Sequence, residues 1–203
     1  PEGTLKALVW CMDVGRVPLY LLDTNLPENP PDYRPISAQL YGGDRRNRLR
    51  QEILLGIGGY RALLKLGYEP SVCHINEGHA AFLSLARMSH LMKEKGVDLK
   101  AALEVIPRTT VFTTHTPVPA GNEAFHIDLL RPHLDALRGE LHIDPSDVIA
   151  WGQPSGKDRP PELLMTILGL RMARYSNGVS KLHGRVARKM WANLWPEHPE
   201  DEV

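Results

Sequence analysis

The chain has 203 residues, and its 24 basic and 24 acidic side chains give a formal net charge of zero. That balance gives no indication of a nucleic-acid partner or an anionic membrane surface, and no apolar run approaches the ~20 residues that span a bilayer. A hydrophobic fraction of 42% is ordinary for a globular protein with one sizeable core. We expect no nucleic-acid partner and no membrane partner.

Both ends of the sequence are typical of cuts through a longer chain or of a partial gene model, since it starts at Pro1 and stops in the acidic run at 199–203. Cys11 and Cys73 lie in apolar, strand-like runs without metal-ligand spacing. This favours buried free thiols in a reducing compartment over a disulfide, and we expect a cytoplasmic protein.

The first predicted elements are two strands, at 5–10 and 18–22, joined by a tight turn at 13–16. A loop rich in Pro, Asn and Asp follows at 23–35. Loops of this length in compact domains are often functional.

A long helix is predicted from Arg45 to about Leu66, with Asp44 as its N-cap and Gly67 as its C-cap. Its apolar residues recur at spacings of three and four and form one stripe: Leu49, Ile53, Ile57, Tyr60 and Leu64. Its interior also contains the glycines Gly56, Gly58 and Gly59. Each glycine costs about 1 kcal/mol in a helix, so we expect the backbone there to meet a close neighbour or a ligand.

The rest of the chain alternates between strand and helix patterns, which is the order of a parallel sheet with helical crossovers. We predict strands at 71–75 and 109–114, a short buried strand or turn at 178–180, and helices at 80–93, 99–106, 128–141, 145–151, 163–175 and 181–194. The fold class is therefore α/β.

Polar clusters stand where three of these strands end, at 74–79, 113–117 and 176–180. In open α/β sheets, ligands bind at the carboxyl ends of parallel strands. Hydroxyl, amide, carboxylate and imidazole groups around one crevice suit a sugar, whose hydroxyls each need a hydrogen-bond partner once they are desolvated.

Each polar group also has a purely structural interpretation. Asn76 and Glu77 are suited to capping the helix that follows, and the residues taken alone favour that role. His79 is then an exposed first-turn residue, and His115 is a hydrogen-bonded core histidine. Asn177 with the following glycine is then a turn dipeptide.

The sequence disfavours two other kinds of site, a phosphate-binding loop and a zinc site. The glycines at 42–43 before Asp44 lack the G-x-G-x-x-G fingerprint and the P-loop lysine, so a loop-to-helix turn is favoured over a phosphate loop. A zinc set is disfavoured because His74 and His79 are five residues apart, not the four of a helical H-E-x-x-H motif. We expect no metal site.

Five regions of the sequence become specific when they are taken together. They are DVGRVPLYLLDTN at 13–25, LYGGD and RLRQEILLGIGG between 40 and 59, HINEGHAAF at 74–82, VFTTHTPVPAGN at 111–122, and NGVSKLHG at 177–184. In this order and spacing, the sequence resembles the α-glucan (glycogen/maltodextrin) phosphorylases of the bacterial and archaeal branch, over nearly the whole chain.

The resemblance implies a GT-B fold, in which two Rossmann-like domains face a deep cleft, and it makes residues 1–203 part of the N-terminal domain. It implies the reversible phosphorolysis of α-1,4-glucan ends with phosphate, which yields glucose 1-phosphate with retained configuration. In this family, pyridoxal phosphate is bound to a lysine of the other domain, and none of the eight lysines here lies in that motif. We expect the cofactor only in the full-length enzyme, for which a homo-oligomer is one expectation.

Carried over residue by residue, His115 resembles the catalytic histidine that hydrogen-bonds the 6-hydroxyl of the glucosyl unit. The positions that resemble sugar-binding residues are Asn177 on the same unit, Thr116, Glu77 and His79 towards the acceptor-side subsites, and also Asn76. Glu77 stands where animal-type members have Asp.

The sequence also departs from the family. The phosphate-binding Arg and Lys and the upstream glycine loop are missing, and Leu164 stands where relatives often carry Asn. We therefore expect the chain to be inactive alone. The alternatives are a non-catalytic glucan-binding or truncated GT-B remnant, and a nucleotide-sugar glucan synthase, which shares the fold but not these motifs.

Overall fold

The computed structural model describes residues 4–115, 122–156 and 159–199. In chain order its strands and α-helices are β1 (Leu8–Val14), β2 (Val17–Asp23), α1 (Arg45–Ile53), α2 (Gly59–Lys65), β3 (Cys73–Asn76), α3 (Leu83–Lys95), α4 (Leu99–Arg108), β4 (Thr110–Thr114), β5 (Ala124–His126), α5 (Ile127–Leu141), α6 (Pro145–Trp151), β6 (Glu162–Leu164), α7 (Met165–Arg171), β7 (Tyr175–Gly178) and α8 (Lys181–Trp191). Of the helices in these ranges, none combines the length and the apolar character needed to cross a membrane.

The predicted pair of N-terminal strands is confirmed as an antiparallel hairpin, but β1 begins at Leu8 and extends through Val14 into the predicted turn, and β2 is longer than its predicted range. Val14 pairs with Val17 next to the turn, where Gly15 has a φ of +63°. Cys11 on this hairpin is exposed and Cys73 is buried, and both thiols are free. The expectation of free thiols is confirmed, but the expected burial of Cys11 is wrong because its strand belongs to a separate two-stranded sheet.

The predicted long helix is continuous from α1 to α2, but its middle is a π-helical turn at Leu54–Gly58. Asp44 caps its start by accepting from the backbone N–H of Asn47 at 2.9 Å, and Gly67 follows its end with a φ of +85°. Asp44 is therefore the helix cap that we preferred to a phosphate loop. Gly56 meets the start of the next long helix, which confirms close packing at one of the three glycines.

The central sheet has the strand order β3-β4-β7, and both pairs are parallel. Two helices, α3 and α4, connect β3 to β4, as the alternation of patterns predicted. The prediction of an α/β fold with a parallel sheet and helical crossovers is thus confirmed, and this sheet is compatible with a Rossmann-like fold.

The region 163–175 differs from its prediction as a single helix. Its first residues form β6, which pairs antiparallel with β5 outside the central sheet, and only 165–171 are helical. By pattern alone, the apolar run fits either a helix or a strand. Its first residues form a strand because they pair with β5, about forty residues earlier in the chain. The predicted buried strand near 178 is β7, which is mostly exposed.

Two groups of buried apolar side chains hold these layers together. The larger group centres on α3, where Phe82, Leu85 and Met88 are fully buried between helices. The smaller group lies under the parallel sheet and includes Phe112 and Trp191. Because both groups pack against the segment from β3 to α3, that segment has a fixed place in the fold.

Gly56→Ala is expected to lower the free energy of unfolding by about 1–3 kcal/mol through overpacking. The added Cβ would lie 2.8 Å from the backbone nitrogen of Leu83. Gly59→Ala is the matched control, because its Cβ would have Leu22 Cδ1 at 4.0 Å as its nearest neighbour. That variant is expected to gain up to about 1 kcal/mol from helix propensity. Urea unfolding measures both, and equal effects would contradict the packing role of Gly56.

Candidate functional site

The carboxyl ends of three parallel strands meet at one edge of the central sheet. Asn76 of β3 lies beside Thr113 of β4, and Thr113 lies beside Asn177 of β7. The sheet therefore brings together the polar clusters that the sequence places at strand ends.

His115 directly follows β4, and its side chain is exposed at this edge. Its Nε2 lies 3.3 Å from Asn76 Oδ1. A carbonyl oxygen only accepts, so Nε2 carries the proton and Nδ1 keeps its lone pair. The interpretation of His115 as a core histidine is wrong because its side chain is exposed, and its contact with the neighbouring strand is at the surface.

Asn177 is connected to the same edge through Thr113, whose hydroxyl donates to Asn177 Oδ1 at 3.0 Å. His74 Nε2 lies 2.7 Å from that hydroxyl oxygen and donates to it. No local pattern in the sequence indicates this orienting role of Thr113 and His74, which follows only from the register of neighbouring strands. Asn177 itself stays exposed.

The Asn-Gly pair lies inside β7 and is not a turn. A Cβ at Gly178 would lie 2.7 Å from the backbone nitrogen of Gly184 in α8. The glycine thus lets the first turns of α8 pack directly against the strand end that carries Asn177.

Glu77 ties β3 to β4 through its carboxylate and does not cap a helix. Oε1 accepts the backbone N–H of His115 and, at 3.3 Å, the hydroxyl of Thr114. The helix α3 begins six residues later with Phe82 as its N-cap, and no side chain caps it. The capping interpretation of Asn76 and Glu77 is therefore wrong, because the chain makes a 3₁₀ turn first.

The backbone at Glu77 is in a region that residues other than glycine rarely adopt, with φ 58° and ψ −173°. The next residue shows why the chain passes so tightly here. A Cβ at Gly78 would lie 2.7 Å from the carbonyl carbon of Met165 and 2.8 Å from the nitrogen of Thr166. The start of α7 therefore leaves no room for a side chain at Gly78, and the buried Glu77 carboxylate ties this exit from β3 to His115.

The other predicted site residues have different places. Thr116 lies outside the described residues. His79 belongs to a second cluster, where its Nδ1 lies 3.2 Å from Glu52 Oε1 and 3.5 Å from Arg48 Nη2. Its side chain is 31% exposed and its ring lies beside that of Tyr41, with 5.4 Å between centroids. His79 is therefore not the fully exposed first-turn residue of the structural interpretation.

The second cluster also contains Arg48, Glu52 and Glu123, which were not predicted as site residues. Arg48 forms ion pairs with Glu52 at 3.1 Å and with Glu123 at 3.4 Å, and its guanidinium lies 4.9 Å from the centre of the Tyr41 ring. Burial raises the pKa of the Glu52 carboxyl, while His79 and Arg48 oppose that shift. The i, i+4 spacing of Arg48 and Glu52 was the available signal, but it is common on solvated helix faces.

Two open clefts adjoin these clusters. One, of about 780 Å³, runs beside β7 and is lined by Asn177, Arg174 and Trp191 among others. The other, of about 640 Å³, lies between the hairpin and the long helix and is lined partly by His79 and Tyr41. Of the described residues that are predicted to bind sugar, Asn177 lines the first cleft and His79 lines the second.

The described residues were also considered as ligands for a metal or a covalent cofactor. No group of three or more His, Cys, Asp or Glu side chains in them is placed to hold a metal ion. Every lysine in the described ranges is exposed, and none of these lysines lines either cleft. These lysines thus offer no enclosed amine for a Schiff base.

The chain is similar along its length to proteins named as phosphorylases. It is 44% identical over 213 residues to the glycogen phosphorylase of Mycobacterium tuberculosis, a match that covers 100% of this chain and 24% of that protein. It is 44% identical over 192 residues to the maltodextrin phosphorylase of Thermococcus litoralis, with 95% and 22% covered. It is 39% identical over 197 residues to the glycogen phosphorylase of Aquifex aeolicus, with 96% and 28% covered.

These matches confirm the resemblance that the motifs indicated. The chain spans about a quarter of the length of the curated relatives it matches. No family model matches the chain.

Two substitutions of Glu77 distinguish the stability that its hydrogen bonds contribute from the energetic cost of its backbone conformation. Glu77→Ala is expected to lower the free energy of unfolding by about 1–3 kcal/mol, because the His115 N–H and the Thr114 hydroxyl lose an acceptor. Glu77→Gly loses the same carboxylate but adopts φ 58° without strain, so it is expected to be about 1 kcal/mol more stable than the alanine variant.

The exposed Glu140 in α5 is the matched control for this pair. At Glu140 the alanine variant is expected to be more stable than the glycine variant by about 1 kcal/mol, as at other helical positions. Chemical denaturation of the four variants measures both differences, and the same order at both sites would contradict strain at Glu77.

Proposed function

We propose that this chain, homologous along its length to glycogen and maltodextrin phosphorylases, is the part of an α-glucan phosphorylase that positions the sugars. The observation that carries the proposal is 44% identity to a glycogen phosphorylase over 100% of the chain. The proposed domain is part of the N-terminal half of a two-lobed GT-B enzyme.

The proposed reaction is the reversible transfer of a terminal α-1,4-linked glucosyl unit from glucan to inorganic phosphate, which yields glucose 1-phosphate with retention. The glucosyl unit carries positive charge in the transition state of such a transfer. Groups that are already oriented, and that need not reorganise during the reaction, stabilise this state best. The hydrogen-bonded edge of the sheet supplies groups of this kind.

His115 is the proposed catalytic contact to the 6-hydroxyl of that glucosyl unit. With Asn76 Oδ1 accepting from His115 Nε2–H, the Nδ1 lone pair is suited to accept a hydrogen bond from a sugar hydroxyl. Asn177 is proposed to bind the same unit, and its amide is oriented by Thr113 before any sugar arrives.

The acceptor-side subsites are proposed to use Asn76, Glu77, Thr116 and His79. Of these, Glu77 already accepts from the His115 N–H and the Thr114 hydroxyl, so its contribution includes holding His115 in place. His79 is at the wall of the cleft beside the hairpin, which gives an extended glucan a second place to contact.

Pyridoxal phosphate, which the family resemblance implies, does not fit the described residues of this chain, because no lysine among them lines a cleft. We propose that the cofactor and the phosphate are bound by the three quarters of the protein that the relatives have beyond the matched region. No step of the reaction is therefore assigned to a cofactor contact in this chain.

In the full-length enzyme, His115→Ala is expected to lower kcat/KM for phosphorolysis. The expected loss of transition-state stabilisation is about 2–4 kcal/mol. His142→Gly is the control, because His142 is an exposed residue with a φ of 58° at the end of α5, where glycine fits. Initial rates of glucose 1-phosphate release measure both variants. Unchanged kinetics for His115→Ala would show that the pocket is assigned wrongly.

The 203-residue chain by itself is expected to release no glucose 1-phosphate from maltodextrin and phosphate. After incubation with pyridoxal phosphate and removal of the free compound, it is also expected to show no pyridoxal absorbance. Phosphorolysis by the purified chain would contradict the proposal that the cofactor and the phosphate are bound outside it. Retained maltodextrin binding in a full-length protein that has no phosphorolysis would instead support the glucan-binding remnant.

A further inference from the structure

A buried carboxylate lies directly behind His79. Glu52 is 1% exposed, and its Oε1 receives Arg48 Nη2 at 3.1 Å and contacts His79 Nδ1 at 3.2 Å. Its Oε2 is buried without a hydrogen-bond partner in the part of the chain that the structure describes. Replacing a whole buried ion pair by apolar residues of similar size is often neutral or stabilising, so stability alone does not explain the pair of Arg48 and Glu52.

The contact between Glu52 and His79 constrains where the imidazole proton lies. A carboxylate oxygen facing an unprotonated ring nitrogen would set two lone pairs against each other, whereas an N–H at Nδ1 gives a charge-assisted hydrogen bond. The competing arrangement has the Nδ1 lone pair accepting from Arg48 Nη2, but that contact is longer, at 3.5 Å. The geometry therefore favours Nδ1–H.

The guanidinium of Arg48 donates to other acceptors in preference to His79. Its Nη1 donates to Gln51 Oε1 at 2.6 Å, and its Nη2 lies within reach of both Glu52 and Glu123. The guanidinium thus balances the negative charge behind the ring, while both described polar contacts of the ring go to Nδ1. His79 lines the cleft beside the hairpin, and no described residue forms a hydrogen bond with its Nε2.

We propose that Glu52 is a positioning residue that fixes His79 as the Nδ1–H tautomer, so that Nε2 is presented as an acceptor for a sugar hydroxyl. The inference rests on the proposed function, in which His79 contributes to an acceptor-side subsite. Glu52 itself does not touch the sugar, and it acts through the ring that it orients.

The tautomer is measured by ¹⁵N chemical shifts of the imidazole nitrogens in the labelled 203-residue chain at pH 8, with His79→Gln to assign the signals. We expect a protonated, pyrrole-type Nδ1 and a pyridine-type Nε2 for His79. In Glu52→Leu, the ring is expected to shift to the Nε2–H form, which an imidazole without such a partner favours. An Nε2–H ring in the unsubstituted chain overturns the proposal, and that outcome does not require Glu52→Leu to fold.

Steady-state kinetics of the full-length enzyme test the consequence for binding. Glu52→Leu is expected to raise the KM for maltodextrin roughly tenfold, about the value of one lost hydrogen bond, with kcat changed by less than about twofold. Glu140→Leu removes an exposed, arginine-paired glutamate and is expected to change neither constant. An unchanged KM in Glu52→Leu overturns the binding role, whatever the tautomer.

The two experiments also separate this inference from the proposed function. If the unsubstituted full-length enzyme does not catalyse phosphorolysis, the proposed function is wrong and the subsite with it. The ¹⁵N measurement still decides whether Glu52 sets the tautomer of His79, because it requires neither sugar nor activity.

Discussion

The site depends on one constraint, the sharp exit of the chain from β3 at Glu77. The carboxylate of Glu77 binds the backbone of His115 across the sheet, while the backbone of Glu77 is held in a conformation that favours glycine. Gly78 then passes against the start of α7 with no room for a side chain. The strained conformation persists because the buried acceptor and the neighbouring helix together leave the chain no alternative.

This exit also explains how one short segment serves two clusters. Asn76 and Glu77 are turned towards the strand ends, where they contact His115. Two residues later His79 contacts Glu52 on the long helix. A regular helix starting at Glu77 would have put these side chains on neighbouring faces of one turn, and they would not have reached separate partners.

The features that could be predicted from the sequence depend on local patterns. The apolar stripe gave the long helix, and Asp44 marked its start, because caps and periodicity act within a few residues. The pairing of β5 with β6 and the hydrogen bond between Thr113 and Asn177 join residues about 40 and 64 positions apart, and no local pattern encodes them. Glu77 was misjudged for the same reason, since its partners lie on another strand.

The π-helical turn between α1 and α2 has a consequence for insertions and deletions. A π turn accommodates about one residue more than an α-helical turn, and each residue advances a helix by about 100°. Removing one residue from Leu54–Gly58 would restore regular α-helical hydrogen bonds but rotate the two halves of the helix relative to each other. Glu52 and Tyr60 would then no longer face their present neighbours together. The surplus residue thus sets the helical phase, and the length of this segment is constrained in addition to the glycine at position 56.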